Sequence, residues 1–137
     1  MLKLEKISAR IVGIPVLRQI DTEFAPGSLL AIVGRNGAGK TTLLRALMGA
    51  IPATGAAALD AVDLLALPAH RRVALGIGYM PEDRRLVPEF TVEENIRLPT
   101  WTVEIDGADQ RLDWIFSIMP EVARFRGRRA MELSGGQ

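Results

Sequence analysis

Eight consecutive residues, Gly34-Arg35-Asn36-Gly37-Ala38-Gly39-Lys40-Thr41, carry most of the chemistry legible in this chain. Glycines at these spacings let a backbone adopt positive φ and turn successive N–H groups inward on one anion, and a helix starting there aims its positive dipole end at the same charge. Lys40 falls where an ammonium meets the β- and γ-phosphates of a nucleoside triphosphate. Thr41 offers a hydroxyl suited to Mg²⁺, and Thr42 a further hydrogen bond to phosphate. The candidate nucleotide-binding set is therefore Gly34, Asn36, Gly37, Ala38, Gly39, Lys40, Thr41 and Thr42.

Such a loop works only between a strand and a helix. Upstream, residues 2 to 33 read as strands and turns, with alternation at Leu2 and Leu4 and breaks at Gly13, Pro15, Pro26 and Gly27. The uninterrupted run Leu29-Leu30-Ala31-Ile32-Val33 predicts a strand buried on both faces of a parallel sheet, stopping at Gly34. Downstream, Leu43, Leu44, Leu47 and Met48 predict a helix over 42–48 with Gly49 as its stop. From Pro81 onward the texture is helical. Thr91 and Glu94 form a capping-box pattern before Asn95 to Leu98, which Pro99 ends, and Leu112, Ile115, Phe116 and Met119 mark one face of a helix stopped by Pro120. A β-rich first part thus carries a helical second part.

Composition narrows the remaining classes. The chain has 137 residues, 48% hydrophobic and 24% charged, which suits one domain with a sizeable core. Seventeen basic against sixteen acidic side chains give a net charge of +1, so a nucleic-acid partner is not expected. With no cysteine, disulfide scaffolds, thiolate zinc sites and thiol catalysis are excluded, and the lone His70 makes no metal site by itself. Charges at positions 3, 5 and 6 interrupt any amino-terminal signal, and no run nears the ~18 apolar residues of a membrane span. These features read as a soluble cytoplasmic chain.

The sequence ends in Leu133-Ser134-Gly135-Gly136-Gln137, an anion-friendly arrangement of a serine hydroxyl and bare backbone amides that, taken alone, also suits a flexible tail. With the phosphate loop upstream it resembles the signature motif of ATP-binding cassette (ABC) proteins. The resemblance covers essentially the whole chain as the amino-terminal part of such a domain: residues 1–82 as nucleotide-binding core with the loop at 34–41, residues 83–137 as helical subdomain. It implies an α/β, P-loop NTPase-like fold with an incomplete core sheet, and ATP and Mg²⁺ as ligands. The implied partners are a second ABC domain and transmembrane permease subunits, on the inner face of the cell membrane. Ser134, Gly135, Gly136 and Gln137 would then act in trans, on nucleotide held by a partner's phosphate loop.

The stretch Gly76-Ile77-Gly78-Tyr79-Met80-Pro81-Glu82-Asp83-Arg84-Arg85, followed by Thr91-Val92-Glu93-Glu94-Asn95, is similar to ATP-binding subunits of branched-chain amino acid importers. Glu82 occupies the position of the family's glutamine that senses Mg²⁺, a position where this group commonly carries glutamate, so Glu82 stands beside Thr41 as a metal candidate. Urea and lipopolysaccharide transporters look similar.

Two departures qualify the resemblance. Where the family stacks an aromatic ring on adenine, this chain has only Ile11 and Val12 to pack on a base. The family's Mg²⁺-binding (Walker B) aspartate, adjacent catalytic glutamate and switch histidine fall beyond Gln137, so the parent domain is expected to be an ATP hydrolase whose catalytic residues are unknown here. Nucleotide binding without turnover remains an alternative, as do a soluble ABC protein of DNA repair or translation and a phosphate-loop kinase or GTPase. Asp60 reads as the turn of a surface hairpin, and His70 as a surface residue. Arg124, Arg126, Arg128 and Arg129 read as a solvated helix face or end, or as help in approaching a triphosphate or membrane subunit. Trp101 and Trp114 read as packing residues, and Leu86 and Phe90 as either core or partner-facing. An uncovered sheet edge predicts poor stability of this chain alone.

Overall fold

In a computed structural model the described residues are 1–83, 85–101 and 106–134. Arg84, Gly135, Gly136 and Gln137 lie outside them. The chain divides into two compact units, Met1–Tyr79 and Met80–Gln137.

The first unit is built on β1 (Leu2–Ile11), β2 (Ile14–Phe24), β3 (Thr54–Leu59) and β4 (Val62–Asp63), an antiparallel sheet of order β2-β1-β3-β4. Its inward residues switch parity part-way along both long strands. In β1 the buried side chains are Leu4, then Ile7 and Ala9; in β2 Leu17 is buried and Ile20 and Phe24 pack partly against the same core. The register shifts between Leu4 and Ile7 and between Ile7 and Ala9, and Lys6 and Gln19 take φ of 50° and 48°. Each irregularity inserts a residue, so the apolar set changes from even to odd positions along β1 and from odd to even along β2 without leaving the core face. Helix α1 (Lys40–Leu47) lays Leu43 and Ala46 into that core, joined by Ala57 and Leu64. The short α2 (Ala69–Val73) follows the β3–β4 hairpin. Asp60 turns that hairpin at φ 51° and pairs with the terminal ammonium of Met1, and His70 is exposed on α2, both as expected.

Leu29–Val33 does not form the expected strand. The segment carries no strand pairing, and Leu29, Leu30 and Val33 are respectively 101%, 55% and 86% exposed. Five consecutive apolar side chains encode a demand for two covered faces. A strand also needs a neighbour to accept its backbone bonds, and the sheet among the described residues is antiparallel, with β2 and β4 at its edges.

The second unit holds α3 (Val92–Arg97), α4 (Ala108–Ile118) and α5 (Pro120–Ala123). Thr91 caps α3 with the full reciprocal box: its hydroxyl accepts from the Glu94 amide at 3.1 Å, and its own amide donates to the Glu94 carboxylate at 2.7 Å. Helix α3 ends at Arg97 with Leu98 as its C-cap, just before Pro99 as the sequence suggested, and a 3-10 turn over Leu98–Trp101 follows. Leu112 and Phe116 are buried from α4 and Ile115 is half-buried, as its periodicity required, whereas Met119, expected on the same face, is the C-cap and is exposed. Trp101 and Trp114, both expected to pack, are 57% and 61% exposed, although Trp101 does meet Phe90 edge to face at 5.4 Å.

Candidate functional site

The loop of residues 34–39 passes directly into α1. Gly39, the N-cap, has φ 94°, and a Cβ there would lie 2.9 Å from Leu17 Cδ2 and 3.4 Å from Val16 Cγ1. Both conformation and close approach to β2 therefore require glycine at this point. The Ala38 amide donates to the Arg35 carbonyl at 3.1 Å, tightening the loop, and Leu43 N–H donates to the Gly39 carbonyl at 2.9 Å, starting the helix. Lys40 folds back over the loop. Its ammonium donates to the carbonyls of Gly34 at 2.7 Å and Arg35 at 2.9 Å.

The loop thus gathers a lysine ammonium, the first amides of a helix and the exposed hydroxyl of Thr41, with Thr42 half-buried behind it. This donor set fits an anion of several oxygens. The Lys40 ammonium could exchange its two carbonyl acceptors for phosphate oxygens by side-chain rotation alone, and Thr41 could contribute one oxygen to a divalent cation held chiefly by those phosphates. Ile11 ends β1, and Val12, 96% exposed with φ 48°, forms the β1–β2 turn beside it.

Glu82 and Ser134 belong to the second unit, and both are exposed. Within that unit the segment that leads to Ser134 is held by the one that follows Glu82. Val92 and Glu93 amides donate to the carbonyls of Arg128 and Arg126, and Ala130 and Met131 amides donate to those of Phe90 and Pro88. The carboxylate of Glu93 binds both Arg126 and Arg97, the latter at 3.0 Å, and Arg97 reaches on to Asp109 at 2.7 Å. The hydrogen bond from Arg126, supported by Arg97, lowers the Glu93 pKa to about 2. Asn95 closes the turn before α3: its side-chain amide donates to the carbonyls of Val87, Phe90 and Thr91 and accepts from the Val87 amide.

The arginine cluster is consequently not simply a solvated face. Arg126 pairs with Glu93 and lies over the Phe116 ring at 5.1 Å, Arg124 pairs with Glu121, and Arg128 lies over Phe125 at 5.7 Å. Sequence reasoning named Asn95 and Glu93 only as parts of a motif. Glu93 pairs locally with Arg97 at i,i+4, but its bond to Arg126 reaches 33 residues along the chain, and Asn95 works on the backbone of the preceding turn; neither of these last two is displayed by a local pattern.

Against known proteins, the ABC transporter family matches residues 17–137. The chain belongs to the ABC transporter family. The probable branched-chain amino acid transport ATP-binding protein LivF of Archaeoglobus fulgidus is 35% identical over 138 residues, spanning 100% of this chain and 58% of the relative. The hemin import ATP-binding protein HmuV of Jannaschia sp. is 40% identical over 137 residues, covering 50% of its own length. The chain therefore spans about half to three-fifths of the length of these relatives. Among solved structures, a dimeric bacterial ABC transporter cassette superposes with a TM-score of 0.81 at 24% identity, over all of this chain and 65% of that one. The same kind of cassette in a post-hydrolysis state bound to ADP and Pi gives 0.83. The fold is thus that of an ABC ATPase, mixed α/β with a sheet left open.

Proposed function

We propose that the phosphate loop of residues 34–41 binds MgATP, and that the parent ABC domain is the energy-coupling ATP hydrolase of an importer for branched-chain amino acids. One observation carries the nucleotide reading: Lys40, Thr41 and the first amides of α1 converge where Gly39 lets the loop close against β2. Gly34, Asn36, Gly37 and Ala38 would present the loop backbone to the phosphates, and Thr42 would add a hydroxyl. Thr41 would offer its hydroxyl oxygen to the metal. Bound Mg²⁺ would neutralise charge on the β- and γ-oxygens, while Lys40 and the helix end fix their orientation. In a head-to-tail pair with a second ABC domain, Ser134, Gly135, Gly136 and Gln137 would meet the partner's nucleotide, and permease subunits would take up the resulting motion.

The solute assignment rests on the likeness to LivF and on glutamate at position 82. The likeness to HmuV, a hemin import ATP-binding protein, is the competing reading. Co-purification with the membrane subunits of a branched-chain amino acid importer is expected, and retention by those of a hemin importer alone would reverse the assignment.

The nucleotide reading is tested by titrating MgATP into the chain. Lys40→Ala should weaken binding by at least about tenfold, the loss of a charge-assisted contact of about 1.5–3 kcal/mol, in the folded protein. Equal affinity of wild type and variant would exclude the loop as the site. Steady-state hydrolysis measured against chain concentration then separates turnover from binding: a Lys40-dependent rate rising faster than linearly indicates a working pair.

A further inference from the structure

The side chain of Arg72 is the one charged group in the core of the first unit among the described residues, 5% exposed; its hydrogen bonds go to backbone oxygens, and the Asp63 carboxylate acts on it through charge alone. Its Nη1 donates to the carbonyls of Ala46 at 2.9 Å and Leu47 at 2.7 Å, and its Nε donates to that of Leu67 at 3.0 Å. Ala46 and Leu47 are the last residues of α1, the helix that begins with Lys40. The end of α1 is a Schellman closure, with Gly49 N–H donating to the Ala46 carbonyl and Ala50 N–H to that of Arg45. That closure leaves the Leu47 carbonyl to Arg72. Gly49 is fitted to the same guanidinium: at φ 73° it lies so close that a Cβ would stand 2.9 Å from Cζ and 3.1 Å from both Nε and Nη2.

From this geometry we infer that Arg72 is a positioning residue for the phosphate loop, holding the far end of α1 so that Lys40 and Thr41 are presented in register. The inference deepens the nucleotide-site reading and rests on it. Helix α1 is only eight residues long, about 12 Å, so its two ends move as one body. Leu43 and Ala46 hold one face to the sheet by apolar contact, which resists lifting but not sliding. The two ends are held differently: Gly39 packs closely against β2 at the start, and Arg72 makes directional bonds to the last carbonyls at the finish. A positive group at a helix C-terminus is also favoured by the helix dipole, which suits an arginine with no carboxylate in hydrogen-bond contact among the described residues. Displacements near 1 Å at a phosphate-binding constellation can cost up to about a hundredfold.

The test is calorimetric titration of MgATP into the wild-type chain, Arg72→Ala, Arg72→Lys and Gly49→Ala, reading affinity and stoichiometry separately. The expected result is a Kd raised roughly tenfold in Arg72→Ala and Gly49→Ala with one site per folded chain retained, and partial recovery in Arg72→Lys, which can reach one carbonyl but not three. Loss of stoichiometry at unchanged Kd would mean that Arg72 only keeps the unit folded, and no change in either would mean that α1 needs no such anchor; both overturn the proposal. If Arg72→Ala does not fold, Gly49→Ala and Arg72→Lys decide it by the same two numbers. Absence of nucleotide binding by wild type would sink the nucleotide-site reading and this role with it. Hydrogen exchange at the amides of residues 43–50 distinguishes that case, since acceleration in the variants would still show that the anchor exists.

Discussion

Glu93 shows how one carboxylate can organise a surface. It accepts from Arg126 and Arg97, and these bonds hold its pKa near 2 against an ordinary 4.5. A carboxylate whose folded pKa is depressed stabilises the fold fully above its unfolded pKa and loses that contribution as pH falls through the folded value. For Glu93 the window therefore runs from about pH 4.5 down to about pH 2. Glu93→Gln should be less stable than wild type at neutral pH, by about 1 kcal/mol or less because the side chain is partly solvated. The difference should close across that window. Urea titrations at pH 2 to 7 measure it, and a wild-type to variant gap independent of pH would assign the effect to packing. Salt should narrow the gap at pH 7, since Arg126 is itself about half exposed.

At the scale of elements, helix α3 is a case where a local sequence signal is also the structural cause. Six residues cannot sustain a helix by backbone bonds alone, so the reciprocal bonds between Thr91 and Glu94 and the Asn95 side chain over the preceding turn decide whether it forms. Thr91→Ala should cost about 1 kcal/mol and lower the melting midpoint by about 4 °C, while Thr91→Ser, which keeps the accepting oxygen, should cost much less. The capping box, the α4 stripe and the glycine-rich loop before α1 were all legible because each is set by residues within one or two turns. What the sequence concealed depends on distant partners. The parity switches at Lys6 and Gln19 exist only as paired irregularities of two strands, and Arg72 at α1 only because α2 returns to it across twenty-five residues of chain. Leu29–Val33 failed for a related reason, since hydrophobicity states what a segment needs and leaves the supply of strand neighbours to the rest of the fold.

For the molecule as a whole, that unfilled need is the dominant physical fact. Leu29, Leu30, Ile32 and Val33 lie close together in sequence between 40% and fully exposed, on the segment that leads into the phosphate loop. Contiguous apolar surface of this kind drives association or binding of any apolar probe, and unpaired backbone groups along it template strand addition. The 137-residue chain should consequently bind an apolar fluorescent dye and self-associate with rising concentration. Leu29→Lys together with Val33→Thr should reduce both effects without lowering thermal stability, because neither side chain contributes to the core that Leu4, Ile7, Leu17 and Leu43 form. Sedimentation velocity across a concentration series and dye titration measure the outcome. A marked loss of stability in the double variant would show that the run is buried in solution, and a matching loss of self-association would show that a second copy buries it. Unchanged dye binding with unchanged stability would move the apolar surface elsewhere, to the exposed Trp114, Ile118 and Met119 of the second unit.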